Sequence, residues 1–458
     1  MRIKLGVPMS LFEIAKGANG RLITEKNVTI KAITTDTREL RPGDLFIALK
    51  GSKYDGENYT ADAKKMGSYT LSSDLKNADI LHSDTGDALL SLAGNYIKTL
   101  PYILYIIGIT GSVGKSTTKE FLKIILQKQY ITHSSDGNFN NEIGMPMSIL
   151  SAPENTQILI MEMGMNHKGE ISKLSKCLRP NIGIITNIGS AHIGNLGSRE
   201  NIAKAKLEIE DGMNEEILFV PYDEPLLFSP KNRITFSTDN TCANFSLLSI
   251  EKENLKLYKN GKECFNLSFS PAGEHHKKCL VSALSVAMFI GMPPEMIKAG
   301  VSTISDNNIR QKCIFRENYT FYADFYNASY ESVSALIKVA SEIVLGRRKS
   351  LVLGDILELG DMSEQIHFEV GKMISPDEFN YLFLFGKEAK NIGLGAIHNG
   401  FPKERIFINT DLSAPQTTAL RIREVCPLGE AIFMKASRGI RLERILDCFN
   451  EKKGGKNE

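Results

Sequence analysis

Residues 102–130 read YILYIIGITGSVGKSTTKEFLKIILQKQY, and the fold is decided there. Tyr102 to Gly108 is a continuous apolar run rich in β-branched residues, the pattern of a strand covered on both faces. Glycines at 108, 111 and 114 break that run. Beyond them Phe121, Leu122, Ile125 and Leu126 recur at the spacing of one apolar helix face. Strand, glycine loop and helix together make a phosphate cradle. Glycine backbone turns tightly and aims N–H groups at an anion, and the helix start adds partial positive charge. The candidate phosphate contacts are Gly111, Ser112, Gly114, Lys115, Ser116 and Thr117. Lys115 can reach the outer phosphates, and the Ser116 hydroxyl can be offered to Mg²⁺. The spacing departs from the general G-x-x-x-x-G-K-[ST] pattern, whose first glycine falls on Ile109. A glycine-rich turn with an incidental lysine is the plain alternative, and the strand–loop–helix setting weighs against it.

Outward from this loop, QILIMEMG (157–164) and NIGIITNIG (181–189) read as two more buried strands. Strands alternating with helical patterns predict a mostly parallel α/β sheet over residues 99–306. Residues 307–458 repeat the alternation through FYADFYN, SLVLGDI, YLFLFGK, RIFIN and AIFMKAS, which predicts a smaller Rossmann-like domain. Residues 1–98 mix short strand-like runs with turns and end in a helical pattern through Leu89, Leu92, Ala93, Tyr96 and Ile97. The expected class is therefore α/β with three domains.

Three side chains near the loop stand out. Glu162 interrupts an apolar strand, where a carboxylate is costly unless paired or bound to a metal. Beside a phosphate loop Mg²⁺ is the natural partner, and a salt-bridged strand end is the alternative. His192 follows another buried strand, in a loop that should open on the same sheet edge; on residue type alone it reads equally as a hydrogen-bonding histidine. Lys204 and Lys206 read, on their own, as a solvated helix face.

Composition narrows the partners. At 458 residues the chain exceeds a single core, and 42% hydrophobic with 24% charged residues is ordinary for a globular protein. A net charge of +2 gives no electrostatic case for nucleic acid or an anionic membrane. Seven cysteines without a C-x-x-C pair argue against a disulfide framework or zinc site. No secretion signal or membrane-spanning run is visible, so a cytoplasmic enzyme acting on small molecules, and a monomer, is expected.

Taken in order, the motifs resemble the Mur ligases, in the branch that adds D-alanyl-D-alanine to UDP-N-acetylmuramoyl-tripeptide. TTDTRELRPGDLFIALKG with YDGENY is similar to that family's UDP-binding domain. GITGSVGKSTTKE is similar to its phosphate-loop variant, which accounts for the glycine spacing. DGNFNNEIGMPMSIL, MEMGMNHKGEI and TNIGSAHIGNLGSRENIAKAKLEI resemble its central domain. DFYNASYESVSAL, LGDILELGDMSEQIHFEVG and MKASRGIRLE resemble its C-terminal domain.

The resemblance implies ATP-driven amide-bond formation through an acyl phosphate, in peptidoglycan precursor synthesis. It implies that Ser116, Glu162, His192 and Lys206 hold Mg²⁺, with two ions expected and Lys206 carboxylated by CO₂. Lys115, Lys206, His192 and Glu162 form the implied catalytic set. Arg310 and Asp324 would reach the nucleotide from the C-terminal domain, Thr37 and Arg38 would hold the UDP part, and Asn138, Asn140 and Asn141 would line the gap to the acceptor. A related ligase with a different amino acid or dipeptide as acceptor is the alternative.

Several positions depart from the family. Its G-x-H-N-x-x-N appears as GEHHKKC, so His276 and Cys279 replace two asparagines expected near the adenine. Ile309 stands where glycine is usual, Ser329 and Tyr330 replace Asn-Pro, Ala323 replaces an acid, and Glu57 replaces a histidine.

Overall fold

The computed structural model describes residues 1–450 except 52–53, 215–216, 229–232, 252, 272, 306–311 and 344–348. Three sheets follow one another along the chain. The first has six strands, in the spatial order Arg2–Ser10, Thr29–Thr34, Leu45–Ile47, Tyr69–Ser72, Ile80–Leu81 and Arg21–Leu22. Its inner pairings are parallel and its two outermost antiparallel.

The central sheet has nine strands. Tyr105–Thr110 lies between Ile182–Ile185 and Ile158–Glu162, with parallel register on both sides. Every residue of Ile158–Glu162 and Ile182–Ile185 is buried, as expected of largely apolar central strands, with Glu162 the one charged side chain among them. Beyond Ile182–Ile185 the sheet continues through Ile217–Pro221, Arg233–Ser237 and Phe245–Ser249. It closes with Asn254–Lys259 and Lys262–Ser268, paired antiparallel. That edge alternates buried and exposed side chains, the period-two pattern of a strand with one wet face.

The third sheet runs Lys312–Arg316, Tyr319–Asp324, Ala431–Lys435, Lys349–Gly354, Leu382–Phe385 and Ile406–Asn409, parallel except at the first pairing. All five strands expected in this region are present.

The first two sheets do not have separate cores. One apolar cluster runs from Leu5 and Leu11 through the helix Thr85–Ile97 to Met147, Met161 and Leu174. Tyr96 is fully buried within it. Its hydroxyl donates to the Ala152 carbonyl at 2.7 Å and accepts from Val7 N–H at 2.8 Å. A buried polar group left unmet costs about 1–3 kcal/mol, so this hydroxyl pins the N-terminal sheet to the central domain. No described helix is long and apolar enough to cross a membrane.

The nucleotide and ligation site

The carboxyl ends of the central strands open into a cavity of about 1330 Å³ walled by all three sheets' domains. At its centre is the loop between the strand Tyr105–Thr110 and the helix Lys115–Leu126. Two glycines are required there by geometry. Gly111 has φ +143°, and a Cβ on it would lie 1.9 Å from Thr186 Oγ1. Gly114 has φ +83° and caps the helix; a Cβ there would lie 3.0 Å from Cys279 Sγ. Asn187 braces the loop from the next strand: its side-chain oxygen accepts from Ser112 N–H at 3.1 Å and Val113 N–H at 2.9 Å. Thr186 Oγ1 donates to the Val113 carbonyl at 2.6 Å. Lys115 bends back over the loop, with Nζ 2.7 Å from the Gly111 carbonyl. The first-turn N–H groups of any helix lack carbonyls one turn earlier, so this end favours an anion.

Glu162 is 1% exposed and makes no ion pair among the described residues, so the salt-bridged alternative is not what the fold adopts. Its carboxylate accepts from Ser116 Oγ in a short hydrogen bond and from Asn140 Nδ2 at 2.9 Å. Two residues 46 apart in sequence thus present oxygens to one point beside the phosphate loop. Hard oxygen donors in that place suit Mg²⁺.

Lys206 overturns the reading of its helix as a solvated face. Lys204 is exposed, but Lys206 is 2% exposed and lines the cavity. Burial first, and the nearby Lys115 ammonium second, hold its amine well below the ordinary lysine range.

His192 lines the same cavity, in left-handed backbone with φ +65°. Its Nδ1 lies 2.6 Å from Glu358 of the C-terminal domain, a contact that keeps the Glu358 carboxyl below its usual range. Among the described residues no three His, Cys, Asp or Glu side chains gather into a metal-holding group. His192 here meets Glu358 at the domain interface, and the oxygen donors beside the loop are Glu162 and Ser116.

The C-terminal domain closes the cavity with Asp324, Tyr326, Glu331 and Lys435. Asp324 accepts from Lys435 Nζ at 2.5 Å. Facing them from the central domain is His275. Burial, then the His276 ring and Lys435, push its imidazole down to about 3, against an upward pull from Asp324. The His275 and His276 rings lie 3.8 Å apart, and His276 also packs 6.4 Å from Phe121. Cys279, expected near the adenine, lines the cavity against the phosphate loop, with Sγ 3.7 Å from the Gly114 carbonyl.

The remaining expectations divide. Ser112, Thr117, Asn140 and Asn141 line the cavity. Asn138 does not, and neither do Thr37 and Arg38. Arg38 is 87% exposed and forks onto Asp36 at 2.6 Å, away from the site. Arg310 lies outside the described residues. Sequence reasoning missed Asn187, His275, Glu331, Glu358 and Lys435. Asn187 stood in the same TNIG segment as His192 and could have been found from its place at a strand end. The N-terminal domain meets the cavity through Glu57 and Asp84 to Asp87 rather than through Thr37. Glu57 accepts from Ser73 N–H at 2.7 Å and Ser73 Oγ at 2.9 Å, so the carboxylate standing in the histidine position is satisfied locally.

A phosphate loop, a carboxylate–hydroxyl pair beside it and a cavity roofed by a Rossmann-like domain define a nucleotide-driven ligase. The profile of the Mur ligase middle domain matches residues 109–287. The UDP-N-acetylmuramoyl-tripeptide–D-alanyl-D-alanine ligase of Bacillus subtilis (strain 168) is 37% identical, over 95% of this chain and 96% of its own length. The Escherichia coli (strain K12) ligase of the same name is 30% identical over 97% and 99%. MurF from Acinetobacter baumannii superposes with a TM-score of 0.85 at 27% identity, covering 97% of this chain and 99% of that one. MurF from Thermotoga maritima, solved with ADP, gives 0.78 at 25% identity, over 91% and 96%. The chain belongs to the Mur ligase family. It is an ATP-dependent ligase that forms amide bonds.

Proposed function

We propose that this enzyme joins D-alanyl-D-alanine to UDP-N-acetylmuramoyl-tripeptide in peptidoglycan precursor synthesis, in the cytoplasm. The observation that carries the reading is one cavity, shared by all three domains and lined by Lys115, Glu162 and buried Lys206, with Ser116 hydrogen-bonded to Glu162. Residues 1–98 would hold the UDP substrate, 99–306 ATP, and 307–458 would close over both.

A carboxylate is a poor electrophile because oxide is a poor leaving group. An oxygen of the tripeptide's terminal carboxylate attacks the γ-phosphorus, ADP departs, and an acyl phosphate results. The dipeptide amine then attacks the acyl carbon, loses a proton, and expels phosphate. Lys115 would neutralise charge on the transferred phosphoryl group, and the loop N–H groups would orient it. Ser116 and Glu162 would hold Mg²⁺, joined by His192 once it leaves Glu358 and by Lys206 as a carbamate. Bound there, Mg²⁺ supplies charge stabilisation to the phosphoryl oxygens. Lys206 would react as free amine with CO₂, forming an N–C bond and releasing one proton. Burial and Lys115 both favour the uncharged amine that this needs. The C-terminal domain would keep water from the acyl phosphate.

Purified enzyme with ATP, Mg²⁺, the UDP-tripeptide and D-alanyl-D-alanine should release ADP and phosphate and yield a UDP-linked pentapeptide. Absence of that product would end the proposal. His276 and Cys279 favour a second reading, a different acceptor or nucleotide. Efficient use of D-alanyl-D-lactate or a single amino acid in an amine panel would select it.

A further inference from the structure

Two consecutive backbone N–H groups after the strand Ile182–Ile185 point to opposite domains. Gly189 N–H donates to Ser112 Oγ of the phosphate loop at 2.9 Å. Ser190 N–H donates to Glu331 Oε1 of the C-terminal domain at 2.6 Å, and Ser190 Oγ lies 3.3 Å from Glu331 Oε2. Glu331 occupies the first turn of the helix Tyr330–Ile343. The same segment supplies Asn187, whose oxygen holds Ser112 and Val113 N–H. The fit at Gly189 is tight: a Cβ there would lie 2.7 Å from the Glu331 carboxyl carbon, although its backbone is not in the left-handed region.

We infer that Glu331 is a positioning residue that couples docking of the C-terminal domain to the shape of the phosphate loop, through Ser190 and Gly189. Only the Gly189 Cα separates the two hydrogen-bonded peptide units, so the segment that holds the loop is tied to the C-terminal domain when that domain is docked. Undocking removes the Ser190 partner and frees the segment holding Ser112. The inference rests on the ligation reading for its kinetic consequence but not for the coupling itself.

Glu331→Ala should lower kcat about tenfold, the value of one hydrogen bond. It should also release more than one phosphate per amide formed, because water reaches the acyl phosphate. Glu331→Gln keeps an oxygen for Ser190 N–H and should stay within about twofold of the wild type, since charge is not the point of the contact. Gly189→Ala displaces the carboxylate without touching Glu331's identity and should behave like Glu331→Ala. The double variant should be no worse than either single one, because both break the same contact. Unchanged kcat and stoichiometry in Glu331→Ala, additive losses in the double variant, or a Gln variant as damaged as Ala would each overturn the inference. Calorimetry with ADP separates this from the acceptor question. ADP affinity should weaken about fivefold in Glu331→Ala and Gly189→Ala alike, whatever the acceptor. Equal ADP affinity in all variants would sink the coupling even if ligation were established.

Discussion

The amine of Lys206 is buried near the Lys115 ammonium, and that neighbour adds to burial in holding it well below the ordinary lysine range. Two lysines in one site repel if both carry protons. Conversion of one to a carbamate turns the repulsion into attraction, which gives the pair a chemical logic.

Lys206→Ala should therefore abolish ligation, by more than about 100-fold if it removes a metal-holding acid. Short carboxylic acids should restore part of the rate by occupying the vacated space. Intact mass after trapping, or carbon-13 spectra in labelled bicarbonate, should show one carbamate in the wild type and none in the variant. A fully active Lys206→Ala would remove the residue from the mechanism.

Ser116→Ala and Glu162→Gln should each raise the Mg²⁺ concentration needed for half-maximal turnover and cut kcat by about 10²–10³-fold, as loss of an electrostatic partner in an active site does. The assay is ADP release titrated with Mg²⁺. Glu162→Gln has a second signature. Its amide oxygen can still accept from Ser116 while its NH₂ faces Asn140, whose amide can turn to accept, so thermal stability should change less than metal dependence. Loss of folding in step with activity would point to a structural carboxylate instead.

Gly114→Ala tests two costs at once. Left-handed backbone is strained for alanine by about 1–2 kcal/mol, and the new methyl meets Cys279 Sγ at 3.0 Å. ATP affinity should fall about tenfold. Adding Cys279→Ala should recover only the steric part, leaving the backbone part. Complete recovery would show that φ at Gly114 is not constraining.

His275 gives a pH dependence whose sign is determined. Its folded value is pushed down to about 3, below the 6.5 of a free histidine. Between those values the unfolded chain binds a proton that the native state does not, so stability rises with pH. That contribution is complete above about 6.5 and is lost as pH falls toward 3, with a slope of at most about 1.4 kcal/mol per pH unit. Urea unfolding from pH 4 to 7 should show this slope in the wild type and a shallower one in His275→Asn. Equal slopes would place the titration elsewhere.

Much of the architecture could be read from local pattern. Apolar runs within 102–108, 157–164 and 181–189 favour strands covered on both sides, and strands form at Tyr105–Thr110, Ile158–Glu162 and Ile182–Ile185, whereas Tyr102 and Leu104, expected in the first of them, stay exposed before it. The antiparallel pair Asn254–Lys259 and Lys262–Ser268 carried only a weak alternation and escaped notice. The phosphate loop was legible because its chemistry lies within ten consecutive residues, where spacing alone sets geometry.

What pattern could not reach was anything depending on residues brought together from afar. Lys206 and Lys204 are chemically identical and two positions apart, yet one is sealed in the cavity and one faces water, because a helix turns about 100° per residue and only packing decides which side is covered. Arg38, in the segment that resembles a UDP-binding domain, forks onto the Asp36 carboxylate, a pairing that pattern does not show. Cys279 under the loop, His275 against Asp324, and Glu331 on Ser190 are tertiary facts. The α/β layers and the phosphate cradle are legible along the chain because periodicity and glycine conformation are local. Which charged groups share the cavity, and so which are set up for chemistry, depends on packing between segments far apart in the chain.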